Sequence, residues 1–507
     1  MRFLIVAMAA ATPLLAQGPP AAPAGAQQGP PGGGPPGGGR GFPGGGGFPG
    51  GGQRGAPVPS GPGRSNNPME TPIPATEAVI TVKLREFATI PDEKNAAPRI
   101  NLLLDEPGTK RFFANTMTGV LYTVSYDGKS VAPYLDINDA KWSTPVQSGN
   151  SEQGFQSFAF HPEFAQSGRP GYGKFYTWVD TSNQMPTPDF LPSQQQISHH
   201  EILLEWTAKD PKSATYDGGN PRELFRVAHP FPNHNGGMIA FNPTARQGSA
   251  DYGLLYIGSA DGGSGGDPGN HAQNLKMIFG KILRIDPLGK NSKNGKYGIP
   301  ASNPFVKDTE ALGEIYTYGH RNPQRFSWDP KNGNMFEAEI GQNINEEINQ
   351  IVAGGNYGWN VWEGSFKYFN REVSTVDQRS DSKMVYPIAD FDHTDPILQR
   401  LAAATGIYAY RDKAVPQLTN MLIFGDNPSG EVFYVNADNL PKGGQNFHRI
   451  LFNDNVTNKT LLHIIKEKNM AQGKMVATRA DLRMGIGPNG QLFILNKHDG
   501  IIRLVTP

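Results

Sequence analysis

His234 stands in the segment Pro232–Gly237 (PNHNGG), and Arg321 with Asn322 stands in Tyr318–Gln324 (YGHRNPQ). An imidazole takes up a proton near neutral pH, whereas a guanidinium offers a planar donor fork and keeps its charge. Brought together, the two suit the oxidation of an alcohol or sugar, in which a base removes the hydroxyl proton as hydride leaves the carbon. Asp261 closes the run YIGSAD. If the intervening chain is a hairpin, that carboxylate returns to the imidazole, fixes its tautomer and stabilises the cation. Each residue also has a purely structural reading. A lone histidine can simply close a turn, and Arg321 can pair with Glu314 or Glu347 at a strand end. Asp261 and Asp267 in ADGGSGGDPGN can solvate their own loop or bind calcium. A further turn-rich segment, GQNINEEINQIVAGGNYGWN (341–360), offers backbone carbonyls to a hard cation, or is a surface loop.

Such residues need a rigid scaffold, and the sequence favours strands. Runs such as GLLYIG (253–258), GEVFYV (430–435) and GQLFIL (490–495) are bounded by Gly, Asn, Asp and Pro, and helical periodicity is scarce. A loose repeat of apolar residue, turn and aromatic strand recurs near Leu103, Phe160, Phe241, Trp328, Met421 and Ile486. Six units, each too small to bury its own face, predict an all-β fold, a six-bladed β-propeller with long insertions over 76–507. A β-sandwich array is the alternative. In a propeller the inter-strand loops converge on a central channel, which would bring the distant polar segments together.

Composition narrows the function classes. Residues 1–16 carry Arg2 and an apolar run from Phe3 to Leu15, which reads as a secretory signal too short to span a bilayer. Residues 17–75 are mostly Gly, Pro, Ala and Gln and read as a disordered linker, because they bury too little apolar surface to offset the entropy of ordering. The full chain has no cysteine and zero net charge, so it lacks disulfides and offers no case for a polyanion or nucleic-acid partner. No transmembrane segment is expected in the mature chain, whose location is periplasmic or secreted.

From about Asn101 to Val505 the chain resembles the soluble pyrroloquinoline-quinone-dependent glucose and aldose sugar dehydrogenases, with their glucose/sorbosone dehydrogenase-like branch. The segments EQGFQSFAFHPEF, NHNGG, IGSADGG, QNLKMIFGKILRIDP, YGHRNPQ and EINQIVAGGNYGW occur in the family's order. The resemblance implies a six-bladed propeller holding pyrroloquinoline quinone (PQQ) and calcium in its channel. It implies His234 as base, Asp261 as its support, and Arg321 with Asn322 on the quinone. It also places Gln153 near a cofactor-contacting glutamine, and Gly341 and Gln342 on the turn whose carbonyls hold calcium. An aldose would leave as its lactone and electrons would pass to an external acceptor. Three features depart from the pattern. NPSG (427–430) stands where glucose-oxidising members have a cofactor-binding lysine, and Gln342 replaces a proline. Arg479 and Arg483 are the nearest candidates for the two arginines that hold the quinone's carboxylates. A calcium-stabilised binding propeller at the cell surface and a calcium-dependent lactonase are the competing expectations.

Overall fold

In this chain short apolar runs become strands buried on both faces. Leu255–Ser259 (LYIGS) and Met335–Glu339 (MFEAE) are each buried along their whole length, so their side chains pack on both sides of a sheet. The computed structural model describes residues 62–507 apart from 185, 370, 399 and 400. The expected signal over 1–16 and the linker through 61 lie outside the described residues.

Most strands fall into six four-stranded antiparallel units, called sheets below: three are separate sheets and three are joined through parallel pairs in one thirteen-stranded sheet, while Arg64–Ser65, Trp362–Glu363, Phe366–Tyr368 and Val373–Gln378 form a further small sheet. The first contains Ile100–Glu106, Arg111–Thr116, Val120–Ser125 and Val131–Asp136. The second contains Phe155–Phe160, Lys174–Thr181, His199–Thr207 and Arg222–His229, and the third Ile239–Phe241, Leu255–Ser259, Lys281–Ile285 and Ile315–Tyr318. The fourth takes Pro323–Trp328, Met335–Glu339, Asn345–Ile351 and Ala389–Asp392, and the fifth Ala404–Tyr410, Met421–Asp426, Val432–Asn436 and His448–Asn453. The sixth combines Arg483–Ile486, Leu492–Leu495 and Ile501–Thr506 with a strand from the other end of the folded chain, Ile80–Thr89.

That last strand joins the two ends. Its later residues run antiparallel to Ile501–Thr506, with Thr89 opposite Ile501, while its first residues lie parallel to the edge of the fifth sheet, Ile80 opposite Ile450. Gly485 and Ile486 pair in parallel with Leu103 and Leu104 of the first sheet. Elsewhere neighbouring sheets touch through their first two strands. The contacts run from Ile100–Glu106 to Phe155–Phe160, then through the third, fourth and fifth sheets to Arg483–Ile486, and so back to the first. The order is cyclic.

The core lies between the sheets. Trp178 and Phe225 of the second pack with Ile257 and Leu283 of the third. Phe336 and Phe391 of the fourth meet Phe424 and Phe433 of the fifth. Val82 of the joining strand packs with Ile423, Ile450 and Ile494 of the fifth and sixth. Among the described residues there is one α-helix, Leu461–Ala471, which buries Leu461, Ile465 and Asn469 at a four-residue spacing. No described helix is long and apolar enough to cross a membrane.

Two sequence expectations shift. Five of the six repeat motifs mark a turn from the first to the second strand of a sheet, but the one at Met421 spans the second and third strands of the fifth. There the first connection runs through Pro416–Leu418, a single 3-10 turn, and lacks the Gly-rich signature that flagged the others. The chain also joins the folded body before the expected boundary at 75. Arg64–Ser65 pairs with Val373 and Ser374, Ile73 is buried among the fourth and fifth sheets, and its N–H donates to Asp395 Oδ2 at 2.7 Å.

Val82→Ala removes two methyl groups from the core beside the closing strand and should cost about 2 kcal/mol. Lys83→Ala on its exposed side should change stability by less than about 0.5 kcal/mol. Urea midpoints at unchanged slope check both values.

Candidate active site

His234 lies in the connection between the second and third sheets, and its backbone is left-handed, with φ +60°. That conformation is uncommon for a residue with a side chain, and here it is held from both sides. The His234 N–H donates to Glu152 Oε2 at 2.7 Å, and its carbonyl accepts from His229 Nε2 at 3.1 Å. Gly237 follows with φ +82°, where a Cβ would come within 2.6 Å of Gln156 Cβ. The turn can therefore press flat against the second sheet only without a side chain there.

The imidazole sits between a carboxylate and a guanidinium. Its Nδ1 lies 2.7 Å from Asp261 Oδ1, and its Nε2 lies 2.6 Å from Arg321 Nη2. With Nδ1–H donated to the carboxylate, the Nε2 lone pair accepts from the guanidinium. Asp261 is fully enclosed: Oδ1 also accepts from the Gly263 N–H at 2.9 Å, and Oδ2 accepts from the Trp359 indole at 2.9 Å. Burial pushes this carboxyl upward, but His234, Arg321 and the Gly263 N–H outweigh it and hold Asp261 below the usual carboxylate value. Asp261 also donates its own N–H to the Arg321 carbonyl at 2.8 Å, which ties the two segments through the backbone.

Arg321 makes no ion pair with Glu314 or Glu347. Its Nε donates to Gln342 Oε1 at 3.0 Å and its Nη1 to the Ile340 carbonyl at 2.9 Å, while Glu314 accepts from Tyr297 and Glu347 from Gly364. Asn322 Oδ1 accepts from the Gly236 N–H at 3.1 Å. The backbone of Arg321 and Asn322 is anchored beneath by Glu339 Oε1, whose other oxygen accepts from His320 Nδ1 at 2.8 Å. Burial lowers the His320 pKa, but Glu337 and Glu339 raise it more strongly, to about 10, so an imidazolium stands under the loop.

These groups border a cavity of about 250 Å³. Of the expected residues, His234, Arg321, Asn322, Gly341, Gln342, Arg479 and Arg483 line it, and Asp261 stands behind His234. Gln153 does not line it, although its neighbours Glu152 and Gln156 do. Gln153 is buried, accepts from Asn150 Nδ2 at 2.7 Å, and leaves its own Nε2 without a partner. At the Gly341 turn, Glu363 Oε1 accepts four successive backbone N–H groups, from Gln342 to Asn345, at 2.8 to 3.1 Å. No donor among the described residues reaches the carbonyls of Gly341 or Gln342. Two other buried clusters, His199–Glu201–His229 and His320–Glu337–Glu339, bring potential ligand atoms within 4.8 Å of one another, and neither includes this turn.

Sequence reasoning missed Lys497, which also lines the cavity. The signal was positional. Asp261 follows the second strand of its sheet, as Ile340–Gln342, Asn427 and Lys497 follow the second strands of theirs. A residue just past the second strand of a repeat therefore points to the cavity rim.

Because the Asp261 carboxyl is held below its unfolded value, its ionisation stabilises the fold at neutral pH, and that contribution is lost as pH falls through the folded-state value. Asp261→Asn should thus be clearly less stable than the parent at pH 7, with the difference shrinking below about pH 4. Chemical denaturation at the two pH values reads this directly.

Residues 108–500 match the family model described as Glucose / Sorbosone dehydrogenase. HIPL1 protein of Arabidopsis thaliana is 30% identical over 362 residues, 64% of this chain and 50% of that protein. Quinoprotein glucose dehydrogenase B of Acinetobacter calcoaceticus is 24% identical over 311 residues, 57% of this chain and 59% of that protein. The chain thus spans about half the length of the curated relatives it matches. Among solved structures, the PQQ-bound aldose sugar dehydrogenase of Streptomyces coelicolor superposes with a TM-score of 0.54 at 20% identity, covering 84% of this chain and 97% of that one. That superposition shows a shared fold; the family model, which matches most of the chain, shows that the chain belongs to the Glucose / Sorbosone dehydrogenase family.

Proposed function

We propose that the chain is an exported, PQQ- and calcium-dependent sugar dehydrogenase built on a six-bladed propeller, oxidising an aldose or related alcohol. The observation that carries this reading is the triangle of His234, Asp261 and Arg321 at the edge of a cavity whose charged lining is mostly cationic. The cyclic order of six four-stranded sheets supports the propeller, and the family match supports the class of reaction.

The residues present fit the two groups. Arg321, Arg479, Arg483 and Lys497 against Glu152 and Asp481 leave a positive surplus suited to an acidic quinone. The unpartnered carbonyls of Gly341 and Gln342 are the oxygen donors a calcium ion prefers. When bound, PQQ would supply the two-electron acceptor that the protein's own side chains lack, with calcium as the Lewis acid beside it. His234 Nε2 would take the hydroxyl proton of the sugar as hydride leaves the same carbon. Its lone pair now accepts from Arg321, so the substrate hydroxyl must take that place. Asp261 would balance the imidazolium that forms, and the Trp359 indole keeps the carboxylate from rotating away. Arg321, released from His234, would turn its charge to oxygen at the reacting centre. The sugar would leave as its lactone, and the electrons would pass to an external acceptor.

His234→Ala should lower dye reduction by an aldose about 10²- to 10⁴-fold in protein loaded with calcium and PQQ, while leaving the absorbance change on quinone binding in place. If the parent protein gives neither turnover on a broad aldose panel nor an absorbance change, the dehydrogenase reading fails. A calcium-dependent rise in melting temperature with glycan or protein binding would then favour the cell-surface binding propeller, a reading supported by NPSG at 427–430. Lactone opening without any electron acceptor would instead favour a lactonase.

A further inference from the structure

One side-chain oxygen touches both arms of the triangle around His234. Gln342 Oε1 accepts from Arg321 Nε at 3.0 Å and from the Gly266 N–H at 3.1 Å. Gly266 lies in the loop that carries Asp261, and its carbonyl accepts from Asn360 Nδ2 at 3.1 Å. Both neighbours of Oε1 are donors, which fixes the way the amide faces. The root of the side chain is fixed as well, because the Gln342 N–H donates to Glu363 Oε1 at 2.8 Å. Gln342 thereby joins the turn after Met335–Glu339 to Arg321 and to the loop that supplies Asp261.

The guanidinium of Arg321 is held by neutral groups: Nε by Gln342, Nη1 by the Ile340 carbonyl at 2.9 Å, and Nη2 by His234 Nε2 at 2.6 Å. In the reaction proposed above the contact with His234 opens so that a hydroxyl can reach the imidazole. The other two contacts then decide where the charge goes. A planar guanidinium held at Nε and Nη1 keeps its plane and its place when Nη2 is released. Held at Nη1 alone, it can turn about that bond and carry its charge off the reacting centre, and orientation lost in this way lowers the rate of the chemical step. The chemistry of the acceptor matters too. The proline that Gln342 replaces has no side-chain acceptor, and a carboxylate would form an ion pair that cancels the charge the site needs. An amide oxygen orients the guanidinium and leaves it cationic.

We infer that Gln342 is a positioning residue for Arg321: its amide oxygen sets the pose in which the guanidinium caps His234 Nε2 in the free protein and faces the reacting oxygen once that cap opens. The hold on Arg321 follows from the contacts themselves. Its part in turnover rests on the function proposed above.

The hold is read without ligand, by hydrogen exchange of the Arg321 Nε–H in protein carrying isotopically labelled arginine, with the resonance assigned by its loss in Arg321→Lys. Gln342→Met keeps the length of the side chain and removes the acceptor, Gln342→Asn keeps the amide but draws its oxygen back by one carbon, and Gln342→Glu keeps an oxygen in place. Exchange should be about tenfold faster in the Met and Asn variants, as expected for one lost charge-assisted hydrogen bond, and as slow as the parent's in the Glu variant. Protein loaded with calcium and PQQ gives the second reading. There kcat for dye reduction by an aldose should fall about tenfold in each variant, with KM within about threefold of the parent's. In the Glu variant the fall comes from the cancelled charge. A folded Gln342→Met or Gln342→Asn protein whose Arg321 Nε–H exchanges as slowly as the parent's would overturn the inference. So would a parent-like kcat in Gln342→Met despite faster exchange. If the parent itself gives no turnover while the exchange difference persists, the dehydrogenase reading fails and the hold on Arg321 stands.

Discussion

The pairing of Ile80–Thr89 with Ile501–Thr506 holds the two ends of the folded chain in one sheet, and the link between the fifth and sixth sheets runs through it. Without that strand the sixth sheet has three strands and exposes an edge, and its parallel contact with the fifth sheet is lost. The candidate site draws residues from five of the six sheets or the connections between them, so none of its distances is a local property of the chain. His234 and Arg321 are separated by 87 positions and meet at 2.6 Å only because the second, third and fourth sheets keep their order.

A chain without cysteine must fix its turns by other means, and this one does so with buried carboxylates that gather backbone N–H groups. Glu339 holds Arg321 and Asn322, Glu363 holds Gln342 through Asn345, and Glu152 holds His234. Glu363, which accepts four N–H groups, needs no cationic partner, and Glu339 takes its cation from His320 beneath the loop, so neither draws an arginine away from the cavity. Arg321, held by neutral oxygens and by His234, is the clearest case.

Much of this was legible in the sequence. Strand-forming runs, Gly and Asn turns and the repeat made the all-β class readable, and five of the six repeat motifs fall at the turn between the first two strands of a unit, because those signals are local and survive long insertions. The polar segments around His234, Asp261, Arg321 and Gly341 could be singled out by residue type. Lys497 could not, since NKHDG carries no chemical signature until the strand before it is aligned with the strand before Asp261. The exclusion of Gln153 from the cavity wall was equally hidden: whether a side chain turns inward depends on the Asn150 contact, a tertiary fact. The early entry of Arg64–Ser65 and Ile73 into the fold escaped notice because a Gly/Pro-rich composition says nothing about one isoleucine with a pocket to fill.

The turn at Gly341 has a consequence of another kind. Four N–H groups converging on a single oxygen of Glu363 set the curvature of Gln342–Asn345 with no ligand required. A loop whose successive N–H groups are met from within the fold needs no guest to hold its shape, so the spacing of its carbonyls is a property of the chain itself rather than of anything bound there.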